Sequence, residues 1–230
     1  MKKIIDNSLY LVLTEECCKG RPAAEIAEAA IAGDVDIIQM REKAKKPDEL
    51  VKLGCALRGI CKKGREGNRR EEKGDVIEKG NVIFIINDDP VLAKEIGADG
   101  VHLGQEDLVN WSIKKARGLL GPGKIIGIST HSIEQVKKAV SEDVDYIAFG
   151  PIYKTKTKNY FIGTADIGEV LKIASKPVFF IGGINLGNID ELLVKGAKNI
   201  ALIRGITESE DVESAARSFK IKIAAADKKG

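Results

Sequence analysis

Short apolar runs rich in β-branched residues recur along the chain, and longer amphipathic stretches separate them. Eight of these runs fit buried strands, at residues 9–14, 36–41, 82–88, 100–104, 125–130, 146–151, 178–184 and 199–205. They are almost continuously apolar, which is typical of strands that are covered on both faces. The stretches between them, such as 22–33 and 132–140, show helical spacing of their apolar residues. Eight strand-then-helix units predict an α/β protein that folds as a single (β/α)8 TIM barrel.

An open, doubly wound sheet is the alternative arrangement of the same units. The first predicted strand is not followed by a G-x-G-x-x-G motif, and this disfavours the dinucleotide-binding version of that fold. We therefore treat residues 1–230 as a single barrel domain.

One segment interrupts the repeat. Residues 62–80 are charged, rich in glycine and nearly devoid of large apolar side chains. We interpret them as an exposed, mobile insertion between the second helix and the third strand. A docking role for the pair Arg69 and Arg70 is the alternative. Residues 222–230 are predicted to form a frayed tail.

Composition and charge exclude several classes of protein. Hydrophobic residues make up 43% of the chain, charged residues 31%, and the net charge is +3. This charge is too small to imply a nucleic acid or an anionic membrane as partner. We interpret the first residues as containing no signal peptide, and no apolar stretch comes near the roughly 20 residues that a membrane span requires. We therefore expect a soluble, cytoplasmic protein. The cysteines lack zinc-site spacing. The oligomeric state, a homo-oligomer included, stays open.

Polar side chains collect at the carboxyl ends of the predicted strands, where TIM barrels place their chemistry. The opposite strand ends show no comparable set. In chain order the set contains Gln39, Arg41, Lys43, Asn87, Asp88, Asp89, Gln105, Glu106, Asp107, Ser129, Thr130, His131, Thr155, Lys156, Thr157, Lys158, Gly182, Gly183 and Arg204.

Acidic residues follow strands three and four of this set. Adjacent strands lie about 4.8 Å apart, so carboxylates from these two strand ends can reach one ion. Ligands that are all oxygen favour Mg²⁺, which binds through one or two carboxylates plus substrate phosphates. Alternatively, Asp88 or Asp89 caps the helix that begins near Pro90. We assign the cap to Asp89 and the metal to Asp88.

Cations and glycines at the same end indicate two anion sites. Arg41, Lys43 and Lys158 would surround the metal, and a pyrophosphate carries enough negative charge to match them. The glycines of "IGGINLGN" (181–188) offer bare backbone N–H groups, as phosphate loops after strand seven of such barrels do; a plain tight turn is the alternative. Thr155 and Thr157 could add hydroxyl donors to that second phosphate.

The two histidines are not predicted to be catalytic. His102 lies inside the fourth strand, and we interpret it as a core residue. His131 follows the fifth strand, but no Ser/His/Asp or Cys/His constellation accompanies it. Helix packing or an orienting hydrogen bond is therefore the role we expect for His131, rather than general base catalysis.

Six motifs together resemble a known family. They are "QMREK" (39–43), "INDD" (86–89), "GADGVHLGQED" (97–107), "GISTHS" (127–132), "DYIAFGPIYKTKTK" (145–158) and "IGGI" (181–184). Their order and placement resemble the thiamine phosphate synthase family over residues 9–206. The resemblance implies condensation of 4-amino-5-hydroxymethyl-2-methylpyrimidine diphosphate with 4-methyl-5-(2-hydroxyethyl)thiazole phosphate. The products would be thiamine monophosphate and pyrophosphate.

The resemblance also implies a role for each matching residue. The pyrimidine diphosphate would be bound by Gln39, Met40, Arg41, Glu42, Lys43, Asn87, Ser129 and Lys158, of which Arg41, Lys43, Ser129 and Lys158 would be catalytic. Mg²⁺ would be held by Asp88 and Asp107. The thiazole phosphate would be bound by Thr155, Lys156, Thr157, Gly183, Ile203 and Arg204.

The resemblance further implies a dissociative mechanism, in which pyrophosphate departs early and leaves a pyrimidine cation. Three features depart from the family pattern: the length of the 62–80 insertion, the arginine at 204 where many members carry serine, and the loop at 159–168. A thiazole tautomerase relative on the same barrel, which would need no pyrophosphate site, is the alternative function. A phosphate-binding protein without turnover is a second one.

Overall fold

The computed structural model describes residues 4–64, 71–72, 75–76, 82–156 and 159–227. Eight parallel strands form a closed barrel in which each strand pairs with the next one along the chain and the last pairs with the first. The strands are β1 (Leu9–Leu13), β2 (Ile37–Met40), β3 (Ile83–Asn87), β4 (Gly100–Leu103), β5 (Ile125–Thr130), β6 (Tyr146–Phe149), β7 (Val178–Ile181) and β8 (Asn199–Leu202). Each one falls within a predicted apolar run, so the barrel prediction is confirmed.

Helices follow the strands and cover the outside of the barrel. They are α1 (Ala23–Ala32), α2 (Pro47–Lys63), α3 (Pro90–Glu95), α4 (Ile113–Leu120), α5 (Ile133–Val140), α6 (Ile167–Ile173), α7 (Ile189–Val194), α8 (Arg204–Thr207) and α9 (Val212–Asp227). Short 3₁₀ turns at Glu15–Cys17 and Asp107–Val109 follow β1 and β4. None of the helices in the described part of the chain has the length and apolarity needed to cross a membrane.

The two irregular segments lie partly outside the described residues. Within 62–80, α2 continues to Lys63, and Glu71–Glu72 pairs with Asp75–Val76 in a two-stranded antiparallel sheet. Most of the rest of that segment, including Arg69 and Arg70, lies outside the described residues. Its mobility therefore stays a prediction. At the carboxyl terminus, α9 is helical through Asp227, so most of the predicted tail continues a helix.

Side chains of the strands alternate between two hydrophobic cores. Those that point outward pack against the helices in the larger core. Those that point inward fill the barrel, where aromatic residues from three strands meet: Tyr10, Tyr146 and Phe179. The Tyr146 and Phe179 rings lie edge to face with centroids 5.4 Å apart, a favourable arrangement for aromatic pairs.

A glycine on β5 makes room for the Tyr146 ring. Gly127 is the register partner of Tyr146 on the neighbouring strand. A Cβ atom on Gly127 would lie 2.0 Å from the Cζ atom of Tyr146, far inside van der Waals contact. The ring is fully buried and wedged between other inward-facing side chains, so it has no free space into which it could retreat. The position of this aromatic ring therefore depends on the missing side chain at 127.

We expect Gly127→Ala to destabilise the protein by about 1–3 kcal/mol through overpacking of the barrel interior. The matched control is Gly118→Ala in the exposed part of α4, where nothing lies within 4 Å of the added methyl group. That substitution should stabilise the helix by about 0.5–1 kcal/mol. Urea unfolding of both variants measures the difference. Equal stability of the two variants would contradict the packing argument.

Candidate active site

A cavity of about 390 Å³ opens at the carboxyl end of the barrel strands. Its lining comprises Val12, Gln39, Arg41, Lys43, Asn87, Asp88, His102, Gly104, Glu106, Ser129, His131, Gly150, Pro151, Thr155, Ile181, Gly182 and Ile203. The floor is the aromatic inner core, and the rim carries charged side chains. This is the end of the barrel at which the sequence predicts the chemistry.

Most of the side chains predicted to bind the pyrimidine diphosphate meet in this cavity, but two of them point elsewhere. Met40 packs into the outer core against α2, because it follows Gln39 by one residue on a strand. Glu42 accepts a hydrogen bond from the backbone N–H of Glu15 at 2.6 Å. Met40 is buried, so any contact that it makes with a ligand in the cavity would have to use backbone atoms.

Asp88 and Asp107 approach each other beside the cavity, close enough for Asp107 to raise the pKa of the Asp88 carboxyl group. Asp88 has a φ of 65°, and its backbone N–H donates to the His102 carbonyl at 2.8 Å. Asp107 is held by the Gly104 N–H, which donates to its Oδ2 at 2.8 Å. Backbone groups on two neighbouring strand ends thus fix both acids in place.

The electrostatics of this pair favour a cation. The pKa of Asp88 is raised to about 7, mainly because the carboxyl group is buried and to a smaller extent because Asp107 is close. Lys43 and Arg41 act in the opposite direction and lower this pKa. The Lys43 Nζ atom lies 3.8 Å from Asp88 Oδ2. Two carboxylates forced together in a partly buried site repel one another unless a proton or a cation lies between them. The donors present thus fit a divalent ion.

The number of protein ligands suits Mg²⁺ better than zinc. Among the residues that the structure describes, no group of three or more His, Cys, Asp and Glu side chains could hold a metal ion. Two carboxylates alone match a Mg²⁺ ion that takes its other ligands from water and from substrate phosphates. Asp89 is not part of this pair: its carboxylate accepts from the N–H groups of Val91 and Leu92 at 2.9 Å. The predicted helix cap is confirmed.

A second cavity, of about 190 Å³, adjoins the first. It shares Thr155, Ile181, Gly182 and Ile203 with the first cavity, and it adds Lys154, Lys156, Gly183, Ile184, Ala201, Leu202, Arg204 and Gly205. These include all the predicted thiazole phosphate residues except Thr157. Thr157 and Lys158 lie outside the described residues, and their roles stay predictions.

Glycines give the second cavity its shape. Gly183 has a φ of +66°, and a Cβ atom there would lie 2.6 Å from the Lys154 carbonyl oxygen. The Asn188 side chain donates to the Gly183 carbonyl at 3.0 Å and so ties this turn to the start of α7. Arg204 borders the cavity, with its Nε 2.8 Å from Glu208 Oε1. Bare backbone and cationic side chains line this space, which suits an anion.

A chain of hydrogen bonds crosses the floor of the larger cavity. Gln39 Nε2 donates to the Tyr10 hydroxyl at 3.0 Å, and that hydroxyl lies 2.8 Å from the hydroxyl of Tyr146. The Tyr146 oxygen lies 2.9 Å from His102 Nδ1, and His102 Nε2 lies 2.9 Å from Ser129 Oγ. The two tyrosines were not among the predicted site residues. The available sequence signal was a polar group at an inward-facing position of an otherwise apolar strand.

Burial keeps the members of this chain uncharged. It lowers the pKa of His102 to about 4 and raises the pKa values of Tyr10 and Tyr146 above their usual range. His102 is buried, as expected of a core histidine, but it also lines the cavity. His131 hydrogen-bonds through Nδ1 to the Gly150 carbonyl, which is an orienting contact.

Comparisons with known proteins converge on one family. A family model described as thiamine monophosphate synthase matches residues 9–66 and 69–206. The chain is 35% identical to the thiamine-phosphate synthase of Persephonella marina over 94% of this chain and 95% of that one. It is 37% identical to the thiamine-phosphate synthase of Halalkalibacterium halodurans over 93% of this chain and 94% of that one.

The solved structures give the same result for the fold. The thiamine phosphate pyrophosphorylase of Pyrococcus furiosus superposes with a TM-score of 0.80 at 27% identity, over 95% of this chain and 96% of that one. The protein KGPDC from Streptococcus mutans superposes with a TM-score of 0.62 at 17% identity, covering 96% of this chain and 99% of that one. The second likeness concerns the barrel alone.

The depressed pKa of His102 predicts an acid-sensitive contribution to stability. The folded-state pKa, about 4, lies below the usual 6.5, so the unfolded chain takes up this proton first as the pH falls. The free energy of unfolding is therefore unaffected by this proton above about pH 6.5, and it falls progressively as the pH drops towards 4. We expect wild type to lose about 2 kcal/mol more than His102→Gln between about pH 7 and pH 4.5.

Denaturant unfolding at the two pH values measures this difference. His131→Gln is the matched control for the same change of side chain, and NMR titration of the two histidines gives the pKa of His102 directly. If wild type and His102→Gln lost equal stability over this range, the buried neutral state of His102 would be wrong.

Proposed function

This chain belongs to the thiamine-phosphate synthase family of transferases, and on that premise we propose its reaction. The chain joins 4-amino-5-hydroxymethyl-2-methylpyrimidine diphosphate to 4-methyl-5-(2-hydroxyethyl)thiazole phosphate in the presence of Mg²⁺. The products are thiamine monophosphate and pyrophosphate. The observation that carries the proposal is the Asp88–Asp107 carboxyl pair at a mouth that Arg41 and Lys43 also line. The cytoplasmic location stays a prediction.

The larger cavity is the proposed site of the pyrimidine diphosphate. Asp88 and Asp107 would hold Mg²⁺, which as a Lewis acid would stabilise negative charge on the departing diphosphate. Arg41 and Lys43 line the same cavity and would make charge-assisted hydrogen bonds to the diphosphate oxygens. We add Lys158 to this group from the family resemblance. Together these groups stabilise the leaving group where its charge develops.

The smaller cavity is the proposed site of the thiazole phosphate. Thr155, Lys156 and Gly183 would bind the phosphate, and Arg204 would add a cation at its edge. Since the two cavities share Thr155 and Gly182, both substrates can lie side by side. Holding two reactants in contact removes much of the entropic barrier of a bimolecular step.

The proposed chemistry needs no strong base. Departure of pyrophosphate leaves a pyrimidine cation that its ring amino group stabilises, and the thiazole nitrogen attacks this cation. His102 is engaged through both ring nitrogens, and His131 is bonded to a backbone carbonyl. Neither histidine is required to move a proton. The charges at the mouth therefore carry the catalysis.

The first test is pyrophosphate release on mixing both substrates, with and without Mg²⁺. Asp88→Asn should lower kcat about 10²–10³-fold, the usual cost of one preorganised electrostatic contact. Asp89→Asn is the matched control, since it removes the same charge one residue away and asparagine can still cap α3. It should keep near wild-type activity.

Each other outcome has a definite meaning. Wild type that releases no pyrophosphate would contradict the synthase proposal and favour the tautomerase relative or a binding protein. Undiminished release by Asp88→Asn would keep the reaction and discard Asp88 as a metal ligand. Equal losses in Asp88→Asn and Asp89→Asn would point to a structural effect on the β3–α3 turn.

Gly183→Ala should raise the KM for the thiazole phosphate about tenfold or more, because the added methyl group clashes with the Lys154 carbonyl and forces the phosphate turn open. The KM for the pyrimidine diphosphate should stay within about twofold. Gly121→Ala is the matched control: its φ of +88° carries similar backbone strain, but nothing lies within 4 Å of the new Cβ. Steady-state kinetics with each substrate varied separately gives both values. Parallel changes in both KM values would count against separate sites.

A further inference from the structure

The hydrogen-bonded chain under the larger cavity begins and ends at side chains that line that cavity. Gln39 is at one end and Ser129 at the other. Between them lie Tyr10, Tyr146 and His102, and the four links measure 3.0, 2.8, 2.9 and 2.9 Å. The three inner members come from β1, β6 and β4, and each is at least nine-tenths buried. The two ends are thus connected through the barrel interior.

One direction of donation gives every hydrogen of this chain an acceptor. Gln39 Nε2 donates to Tyr10, so the one hydroxyl hydrogen of Tyr10 is available for Tyr146. With Tyr10 donating to Tyr146, the hydrogen of Tyr146 has His102 Nδ1 as its acceptor. A neutral imidazole that accepts at Nδ1 carries its hydrogen on Nε2, and that N–H donates to Ser129. The direction of donation in each of the four hydrogen bonds therefore depends on the orientation of the Gln39 amide.

This direction decides what the two ends offer to a ligand. The Oε1 atom of Gln39 makes no hydrogen bond with the described part of the chain, and it is left as an acceptor at the cavity. Ser129 Oγ accepts from His102 and so has its own hydrogen free to donate into the cavity. The site therefore presents one acceptor and one donor. An exocyclic amino group beside a ring nitrogen offers the complementary donor and acceptor, whereas a 4-oxo pyrimidine with N3–H offers the reverse.

We propose that Tyr10, Tyr146 and His102 are positioning residues that lock Gln39 and Ser129 into this polarity and thereby select 4-aminopyrimidines over 4-oxopyrimidines. The proposal rests on the proposed function, because it places the pyrimidine ring against Gln39 and Ser129. It goes beyond that function by assigning the choice of ring to three residues that act through Gln39 and Ser129. Gly127 contributes indirectly, since it makes the space for the Tyr146 ring.

The polarity of the two ends is coupled, because no single link can reverse without its neighbours. To match a 4-oxo ring, the Gln39 amide would have to flip, and all four hydrogen bonds would then have to reverse together. Otherwise buried polar groups are left unpaired, and sites built on such contacts reject the mismatched analogue strongly. We expect wild type to bind the 4-amino diphosphate at least about 100-fold more tightly than its 4-oxo analogue.

The test compares binding rather than turnover. Calorimetry with Mg²⁺ gives the dissociation constants of the 4-amino and 4-oxo pyrimidine diphosphates, and their ratio cancels the shared diphosphate contribution. Tyr146→Phe removes the central hydroxyl and should reduce the preference about tenfold or more, through loss of one defined contact. The matched control is Thr130→Val. Thr130 lies beside Ser129 on β5, and its buried hydroxyl donates a hydrogen bond to the Ala148 carbonyl. This substitution should leave the ratio unchanged.

Nitrogen-15 NMR supplies a readout that does not depend on ligand. The chain has only two histidines, so the His102 signals can be assigned with a His131→Gln variant. Wild type should show the neutral tautomer with hydrogen on Nε2. Tyr146→Phe should show a mixture of tautomers, because Nδ1 loses its donor. Tyr10→Phe is the second variant, should Tyr146→Phe fail to fold; it should lower the ratio in the same direction.

Two outcomes would overturn the proposal. One is a preference ratio in Tyr146→Phe or Tyr10→Phe within twofold of the wild-type ratio. The other is the wild-type tautomer with hydrogen on Nδ1, which would mean the opposite polarity. Failure of the proposed function is distinguishable from both: it appears as absence of pyrophosphate release from wild type, while the tautomer and the binding ratio still decide the fate of the three residues.

Discussion

Closure of eight parallel strands into one barrel is the constraint on which the site depends. Because every strand is parallel, all carboxyl ends meet at one mouth, and the loops that follow them must share it. Because the barrel is closed, its inward-facing side chains have to fill a fixed volume. A large ring at Tyr146 therefore requires no side chain at Gly127, and the position of that ring fixes the hydroxyl on which the buried hydrogen bonds depend.

The site has two parts with different electrostatics, a charged mouth and an uncharged polar floor beneath it. The mouth carries charges of both signs: Asp88 and Asp107 lie close together, and Lys43 and Arg41 lie near Asp88. In the proposed function, a metal and a diphosphate would supply further charges of both signs at once. The floor beneath it is polar but uncharged, and every link there is a hydrogen bond between neutral groups.

The sequence could predict what depends on local pattern. Strands follow from apolar runs, the cap at Asp89 follows from its place before Pro90, and the meeting of Asp88 with an acid from the next strand follows from strand spacing. Within the motif at 39–43, it was harder to predict which side chains face the cavity. Side chains alternate along β2, so Met40 points outward while Gln39 points inward. The anchoring of Glu42 by the Glu15 backbone depends on a loop contact that no single motif contains.

The contact between Tyr10 and Tyr146 was beyond such prediction for a geometric reason. These residues lie on strands that are not neighbours, and their hydroxyl groups meet only across the closed barrel. Only closure, strand register and the space left at Gly127 together bring them within 2.8 Å. Sequence patterns describe each strand and its neighbours, whereas this pair is a property of the whole barrel.

Neutrality of the floor suits the proposed reaction, which would pass through a pyrimidine cation. A titrating group beneath the ring would change its charge with pH and would alter the field at the reacting carbon. His102 resists protonation and the two tyrosines resist ionisation, each because of burial, so the dipoles keep one direction across the working pH range. Fixed dipoles need no reorganisation as charge develops, which is the advantage of a preorganised site over water. In the proposed reaction, the mouth would stabilise the charge of the leaving group while the floor would hold the ring.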